Sequence, residues 1–188
     1  MIKEIINSIY RISSNSLAEI EKIVKYENYD KGISFIEKNK LNNKEYFLLE
    51  GVCKSYLINP EGNEITLSFF DENSVLSPYT TRTSNNRSLI CFKSLTDIKL
   101  ASIDANIFAE LMVNNLEIRN FGNQVLRNEL ACKVDKEIGL ASLTAKERLI
   151  KLREQFPLLE NLVPHTDIAT YLGITNISLS RLRKGLIK

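Results

Sequence analysis

A change of period near residue 103 constrains this chain of 188 residues more than any other feature. From Tyr29 to Ile103, short runs rich in β-branched and aromatic residues alternate with turn residues: 33–36, 45–49, 52–59, 64–70, 89–94 and 97–103. Many short antiparallel strands at this spacing predict a small sandwich or jelly-roll barrel. Glu50-Gly51 ends one strand, and Asn59-Pro60-Glu61-Gly62-Asn63 joins two others as a hairpin. Residues 16–27 read as a short amphipathic helix, with Ser16 as cap, Glu19 closing the capping box and Leu17, Ile20, Ile23 and Val24 on one face. Between Glu72 and Arg87 the pattern thins into a polar insertion, readable equally as a binding loop or a solvated connection.

From Asp104 onward the apolar residues recur at helical spacing. Asp104 caps 105–113, and Asn114 or Asn115 opens a long helix reaching about Ile138, with Gly139 marking its end. Leu111, Ile118, Val125 and Cys132 recur every seven residues, with Phe121 between them and Leu126, Leu130 and Val134 alongside. A stripe that wide exceeds the needs of a solvated helix. Leu111, Ile118, Phe121, Val125 and Cys132 are the expected self-association seam; the alternative is a core helix of a monomer. Thr144 and Glu147 then form a capping box for 145–155, which stops before Pro157. The fold class is α+β, divided as a β-roll domain (1–113), a long dimerisation helix (114–138) and a C-terminal helical domain (139–188).

Composition excludes several chemistries. Cys53, Cys91 and Cys132 are scattered, with no CxxC or CxxH spacing, which argues against a disulfide framework and a zinc site. His165 is the only histidine, so a histidine-dependent triad or metal site has almost nothing to work with, and no enzyme is expected. No run of eighteen apolar residues is present, and Glu4 interrupts the apolar stretch a signal peptide would need, so a cytoplasmic protein without a membrane partner is expected.

Residues 163–184 carry the chemistry. They read as helix, tight turn, helix: Ile168, Ala169 and Leu172 face inward, Gly173 reverses the chain, Thr175 caps the second helix, and Ile174, Leu179 and Leu182 turn inward. The outer face of the second helix holds Asn176, Ser178, Ser180 and Arg181, short hydrogen-bonders and a guanidinium suited to base edges in a DNA major groove. Thr166, Thr175, Arg183, Lys184 and Lys188 are candidate phosphate contacts. The formal net charge is +2, yet the last 28 residues hold Arg181, Arg183, Lys184 and Lys188 against Asp167 alone, so the basic excess is local to this motif. The alternative is a helical hairpin with a basic solvated end.

The order of these parts resembles the Crp/Fnr family of bacterial transcription regulators. The elements that carry the likeness are Leu48-Leu-Glu-Gly51-Val, the Asn59-Pro-Glu-Gly62-Asn-Glu hairpin and Asp167-Ile-Ala-Thr-Tyr-Leu-Gly173-Ile-Thr…Ser178-Leu-Ser-Arg181. The last of these looks like the branch common in Bacteroidetes. The resemblance implies a cyclic-nucleotide-binding-like sensor domain, a homodimer through the long helix, double-stranded DNA with a two-fold operator as partner, and RNA polymerase as the partner of an activator.

Departures from the family pattern modify that reading. Leu76-Ser77-Pro78-Tyr79 stands where the phosphate cassette has Gly-Glu-Leu, and Pro78 offers neither carboxylate nor amide hydrogen. Arg87 and Ser88 match the cassette's Arg-Ser pair, while Lys133 and Val134 occupy the adenine-facing positions of the long helix. Cyclic AMP is therefore not expected; Arg87, Ser88 and Tyr79 remain as candidate ligand residues for an unknown effector. Three cysteines and no histidine before residue 165 also exclude the family's iron–sulfur and haem sensing, so no cofactor is expected. Ile177 stands where relatives often place a glutamate and would meet a thymine methyl rather than cytosine. The competing reading is a small-molecule-binding or protein-interaction module with a vestigial helix-turn-helix.

Overall fold

Burying both faces of an antiparallel sandwich takes a layer of helices on each side, and this chain supplies them from its two ends. The computed structural model describes residues 2–186. Helices α1 (Ile2–Ile9) and α2 (Ser14–Glu21) come first. Strands β1 (Lys25–Tyr29), β2 (Ser34–Ile36), β3 (Lys44–Glu50), β4 (Cys53–Ile58), β5 (Glu64–Phe70), β6 (Ser74–Leu76), β7 (Cys91–Ser94) and β8 (Ile98–Asp104) follow, with a 3-10 turn at Pro78–Thr81. Helices α3 (Ala105–Asn114), α4 (Leu116–Ser142), α5 (Ala145–Gln155), α6 (Leu159–Leu162), α7 (His165–Tyr171) and α8 (Asn176–Leu186) complete the described residues. One sheet has the order β1-β8-β3-β6 and the other β2-β7-β4-β5.

Between the sheets lie Ile36, Tyr46, Leu48, Cys53, Leu76, Phe92 and Leu100. The outer face of the first sheet, through Phe47, Ala101 and Ile103, packs on Ile5 and Ile6 of α1, Leu17 and Ile20 of α2, Phe108 of α3, and Ile118 and Phe121 of α4. The outer face of the second sheet gives Val52, Phe69 and Leu95 to the core of the C-terminal helices, built on Leu149, Leu152, Phe156, Ile168, Leu172 and Leu179. Central strands buried on both faces read as near-continuous apolar runs, as in Tyr46-Phe47-Leu48. Gly51 makes the first of the two sequence-marked turns possible: at φ +88° it lies so close to strand β8 that a Cβ would stand 2.2 Å from the Asp97 carbonyl oxygen. At the second, Gly62 takes φ +84° and Asn59 Oδ1 accepts from the Asn63 N–H at 2.8 Å.

A bulge in β5 sets which residues face the C-terminal helices. The β4–β5 register shifts between Ser55 and Tyr56: Lys54 pairs with Phe69 and Tyr56 with Thr66, which leaves one extra residue on β5. Thr66 and Phe69, three apart, therefore share the outer face with Lys54. Lys54 has 1% of its side chain exposed; its Nζ donates to Asp167 Oδ1 of α7 at 2.7 Å and to Glu64 Oε2 at 2.6 Å. Lys93 Nζ holds the other Glu64 oxygen at 2.9 Å, and the Thr66 N–H donates to Thr170 Oγ1 of α7 at 3.2 Å. Burial pushes the Glu64 carboxyl up, but hydrogen bonds and charge from Lys54 and Lys93 outweigh it and hold the group below the usual carboxylate range.

Several sequence expectations change. The second helix is capped by Ser13, whose side chain accepts from the Ser16 N–H; it ends at Glu21, and residues 25–27 belong to β1. Ser16 lies inside that helix and donates to Glu117 Oε2 at 2.5 Å, tying α2 to the start of α4. Asn115 caps α4, but Gly139 does not end it: the helix runs to Ser142, and this glycine does not take the left-handed conformation of a C-terminal cap. Within the expected seam, Ile118, Phe121 and Val125 are buried in the chain's own core and Leu111 is half-buried against it, with Phe121 stacked at 6.3 Å on Phe47. The cause is α1, which the sequence reading left unassigned and which covers this face. Only Cys132 of the five is exposed.

Two outcomes are expected in unfolding experiments. Phe121→Ala costs about 3–5 kcal/mol in a urea titration, as a large-to-small core change, and Val125→Glu unfolds the chain instead of altering its association. Lys54→Met leaves Asp167 buried without its partner and costs about 3–5 kcal/mol, most of which the double variant Lys54→Met/Asp167→Leu recovers. Glu64, held below its ordinary value of 4.5, contributes stability that is present above that pH and lost as the pH falls through its folded value. Melting temperature against pH therefore drops on acidification, and Glu64→Gln makes the drop shallower.

Candidate nucleic-acid interface

The two C-terminal helices meet at a turn closed by two backbone hydrogen bonds. The Gly173 N–H donates to the Thr170 carbonyl at 3.1 Å and the Ile174 N–H to the Ala169 carbonyl at 3.0 Å, the two bonds of a Schellman turn, with Gly173 at φ +67°. Thr175 Oγ1 then accepts from the Ser178 N–H at 3.2 Å and opens α8. Leu179 is buried against Ile168, Ala169 and Leu172, and Ile174, Leu182 and Leu186 pack around it. Residues Thr166, Thr175, Asn176, Ile177, Ser180, Arg181 and Lys184 are all exposed, so these sequence-predicted positions face solvent from one motif. Arg181 and Lys184 make no ion pair among the described residues.

Two of the predicted contacts are already engaged. Ser178 is half-buried and its hydroxyl lies 3.0 Å from that of Thr175, so it serves the cap. Arg183 pairs with Glu160 at 3.0 Å, beside Arg153 on the same carboxylate at 2.5 Å, and its Nη1 lies 3.2 Å from His165 Nδ1. Its charge is thus answered within the protein. Lys188 lies outside the described residues.

In the roll, the three candidate ligand residues do not converge. Tyr79 is exposed, Arg87 is exposed with Nη1 on the Asn39 carbonyl at 2.6 Å, and Ser88 is buried with its hydroxyl on the Ile90 carbonyl at 2.7 Å. The buried cation there is Arg82, which the sequence reading passed over. It pairs with Glu45 and donates to the Asn42 carbonyl at 3.1 Å and the Lys44 carbonyl at 3.3 Å. Burial pushes the Glu45 carboxyl up against the pull of Arg82. Nothing local in the sequence separated Arg82 from Arg87; the signal was the partner, Glu45, an acid within an apolar strand. Among the described residues no cluster of His, Cys, Asp and Glu could hold a metal ion, and no helix is long and apolar enough to cross a membrane. Cys53, Cys91 and Cys132 are free thiols, the first two buried.

No family model matches the sequence, and no curated protein matches it. Solved structures do. FixK2 from Bradyrhizobium japonicum is 18% identical with a TM-score of 0.75, over 87% of this chain and 84% of that one. The c-di-GMP responsive global regulator CLP from Xanthomonas campestris is 13% identical with a TM-score of 0.71, over 93% and 91%. A protein assigned as a transcriptional regulator of the Crp/Fnr family from Eubacterium rectale is 16% identical with a TM-score of 0.71, over 91% and 82%. At such identities the likeness is one of fold. The jelly roll, the long helix and the helix-turn-helix behind it thus have the arrangement of the Crp/Fnr regulators, and that is the fold of this chain.

Proposed function

We propose that the chain is a sequence-specific DNA-binding transcription regulator of the Crp/Fnr type, of the Bacteroidetes-like branch, acting in the cytoplasm as a homodimer on a two-fold operator. The observation that carries this reading is the outer face of α8, where Asn176, Ile177, Ser180, Arg181 and Lys184 stand exposed on a helix whose inner face is fully packed. Arg181 is the base reader, suited to guanine O6 and N7 as a fork, Asn176 reads adenine or a phosphate, and Ile177 meets a thymine methyl. Lys184, Thr166 and Thr175 hold phosphates. Arg183 serves as a structural residue that fixes α8 to Glu160. In this reading the nucleotide pocket is degenerate: Arg82, the buried guanidinium, is paired with Glu45, and Arg87 is exposed with Nη1 on the Asn39 carbonyl, which speaks against a cyclic AMP site, and no cofactor or metal is invoked. RNA polymerase is the partner if the output is activation.

The dimer needs a seam other than the buried heptad. Leu130, Val134 and Ile138, four residues apart on α4, are 65%, 45% and 57% exposed and form one stripe along the helix. An unpartnered stripe on an otherwise docked helix is what self-association would cover.

Binding to genomic fragments is expected to weaken by about 10³-fold between roughly 50 and 200 mM salt. Arg181→Ala costs about 1–3 kcal/mol on the preferred site and relaxes discrimination at one base pair, whereas Lys184→Ala weakens all sequences about equally. An Arg181→Ala variant that binds the preferred site like the parent would refute the assignment. The double change Leu130→Glu/Ile138→Glu halves the mass by light scattering and leaves thermal unfolding of the chain intact; an undiminished mass places the seam elsewhere.

A further inference from the structure

A groove of about 420 Å³ runs along the junction of the roll and the C-terminal helices, walled by β5 and α4 on one side and by α5 and α7 on the other. Its floor is aromatic. Phe69, from the roll, lies 5.1 Å from Tyr171 of α7 and 6.4 Å from Phe156 at the end of α5, ring centre to ring centre. Two lysines one turn apart on α4 reach into it. Lys136 Nζ donates to the Leu67 carbonyl at 2.6 Å, at the β5 bulge, and stands 3.9 Å over the Tyr171 ring. Lys133 Nζ donates to Ser68 Oγ at 2.7 Å.

Neither lysine has a carboxylate in ion-pair contact among the described residues, although acids line the same groove. Asp135 is taken by Lys151 at 2.6 Å. Glu129 faces Lys133 and accepts from the Thr80 hydroxyl at 3.2 Å, its carboxyl pushed up by burial. Arg148 is spent on the Leu172 and Leu143 carbonyls at 3.0 and 2.6 Å. Four basic side chains and three acidic ones line the groove, leaving one positive charge in excess. Burial, with the charge of Lys133 added, pulls the Lys136 ammonium down to about 8, as befits a cation whose counter-charge is missing.

We infer that this groove binds a small monocarboxylate with an apolar body, its carboxylate on Lys136 and Lys133 and its body on Phe69, Phe156 and Tyr171. A single anionic charge cancels the excess, whereas a phosphate dianion would overshoot it. The volume is at the lower end of that of small-ligand sites, and an apolar floor with few convergent polar groups is their usual build. Because the walls come from both halves, an occupied groove ties α4 and β5 to the helix-turn-helix. That output rests on the proposed DNA reading; the binding itself does not.

Calorimetric titration of the full chain tests the binding without DNA. Phenylacetate and octanoate are the two probes, one aromatic and one aliphatic, with phenylacetamide, inorganic phosphate and cyclic AMP as controls. At least one acid is expected to bind once per chain and raise the melting temperature, and the controls to do neither. Lys136→Met weakens the acid at least tenfold, Lys133→Met weakens it less, and Lys136→Arg, which retains the charge, restores it. The inference is overturned if neither acid binds, if phenylacetamide binds as well as phenylacetate, or if Lys136→Met binds like the parent. A chain that fails to bind DNA but takes the acid defeats the regulator reading and leaves this one standing.

Discussion

Lys54 sits near the start of β4 with 1% of its side chain exposed, so its charge has to be answered inside the protein. The answer comes from two places: Glu64 on the neighbouring strand and Asp167, which lies more than a hundred residues away on the first helix of the helix-turn-helix. A buried ion pair is a weak source of net stability, because desolvation of both groups offsets most of the attraction. Its effect is on arrangement. A docking of α7 in any other register would leave the Lys54 ammonium or the Asp167 carboxylate buried without this partner, a far larger cost than the pair contributes when made. The helix-turn-helix is therefore seated on the second sheet in one place, and the Thr66–Thr170 hydrogen bond fixes its position along β5.

That seating explains the layering around it. The C-terminal helices take Val52, Phe69 and Leu95 from the roll into their own core, so the helix-turn-helix is docked on the second sheet and is not a tethered bead. On the other side, α4 spends Ile118, Phe121 and Val125 in the apolar core against the first sheet over its first half. Its second half touches the rest of the chain through polar side chains, among them Glu129, Lys133, Asp135 and Lys136, while Leu130, Val134 and Ile138 face outward. One helix thus changes duty midway. A heptad counted along its whole length merges an inward stripe with an outward one.

What the sequence made legible was local. The Asn59–Asn63 hairpin, the Thr144–Glu147 capping box, the Gly173 turn and the Thr175 cap each depend on residues within a few positions of one another, and each stands as read. What escaped depended on distant partners. Ser16 was taken as a cap because its local pattern fits one, but Glu117 recruits it from a hundred residues away. Lys54 has the local pattern of an ordinary polar alternate in a strand, and the partner that accounts for its burial, Asp167, is more than a hundred residues away. Arg87 matched a family motif by spacing, yet Arg82 has the buried partner, and that choice is made by Glu45 on another strand. The outer face of α8 was readable for the converse reason: side chains that contact solvent need no partner to be placed. Arg183 is the exception there, because Glu160 lies out of its sequence neighbourhood.

The pairing of Arg183 also narrows the proposed contact of α8 with DNA. With that guanidinium held by Glu160, the cations of the helix without an ion pair among the described residues are Arg181 and Lys184, three residues apart and hence close on one face. One suits a base fork and the other a phosphate, so a single helix offers little reach, and tight binding requires two copies. In the proposed dimer their separation is set by parts that do not touch DNA: the exposed stripe of α4 and the Lys54–Asp167 clamp. Half-sites about one helical turn apart, roughly 34 Å, demand that both be rigid at once. A ligand in the groove between α4 and α7 would bear on that same geometry, which in the proposed regulator would put its input against the elements that set its output.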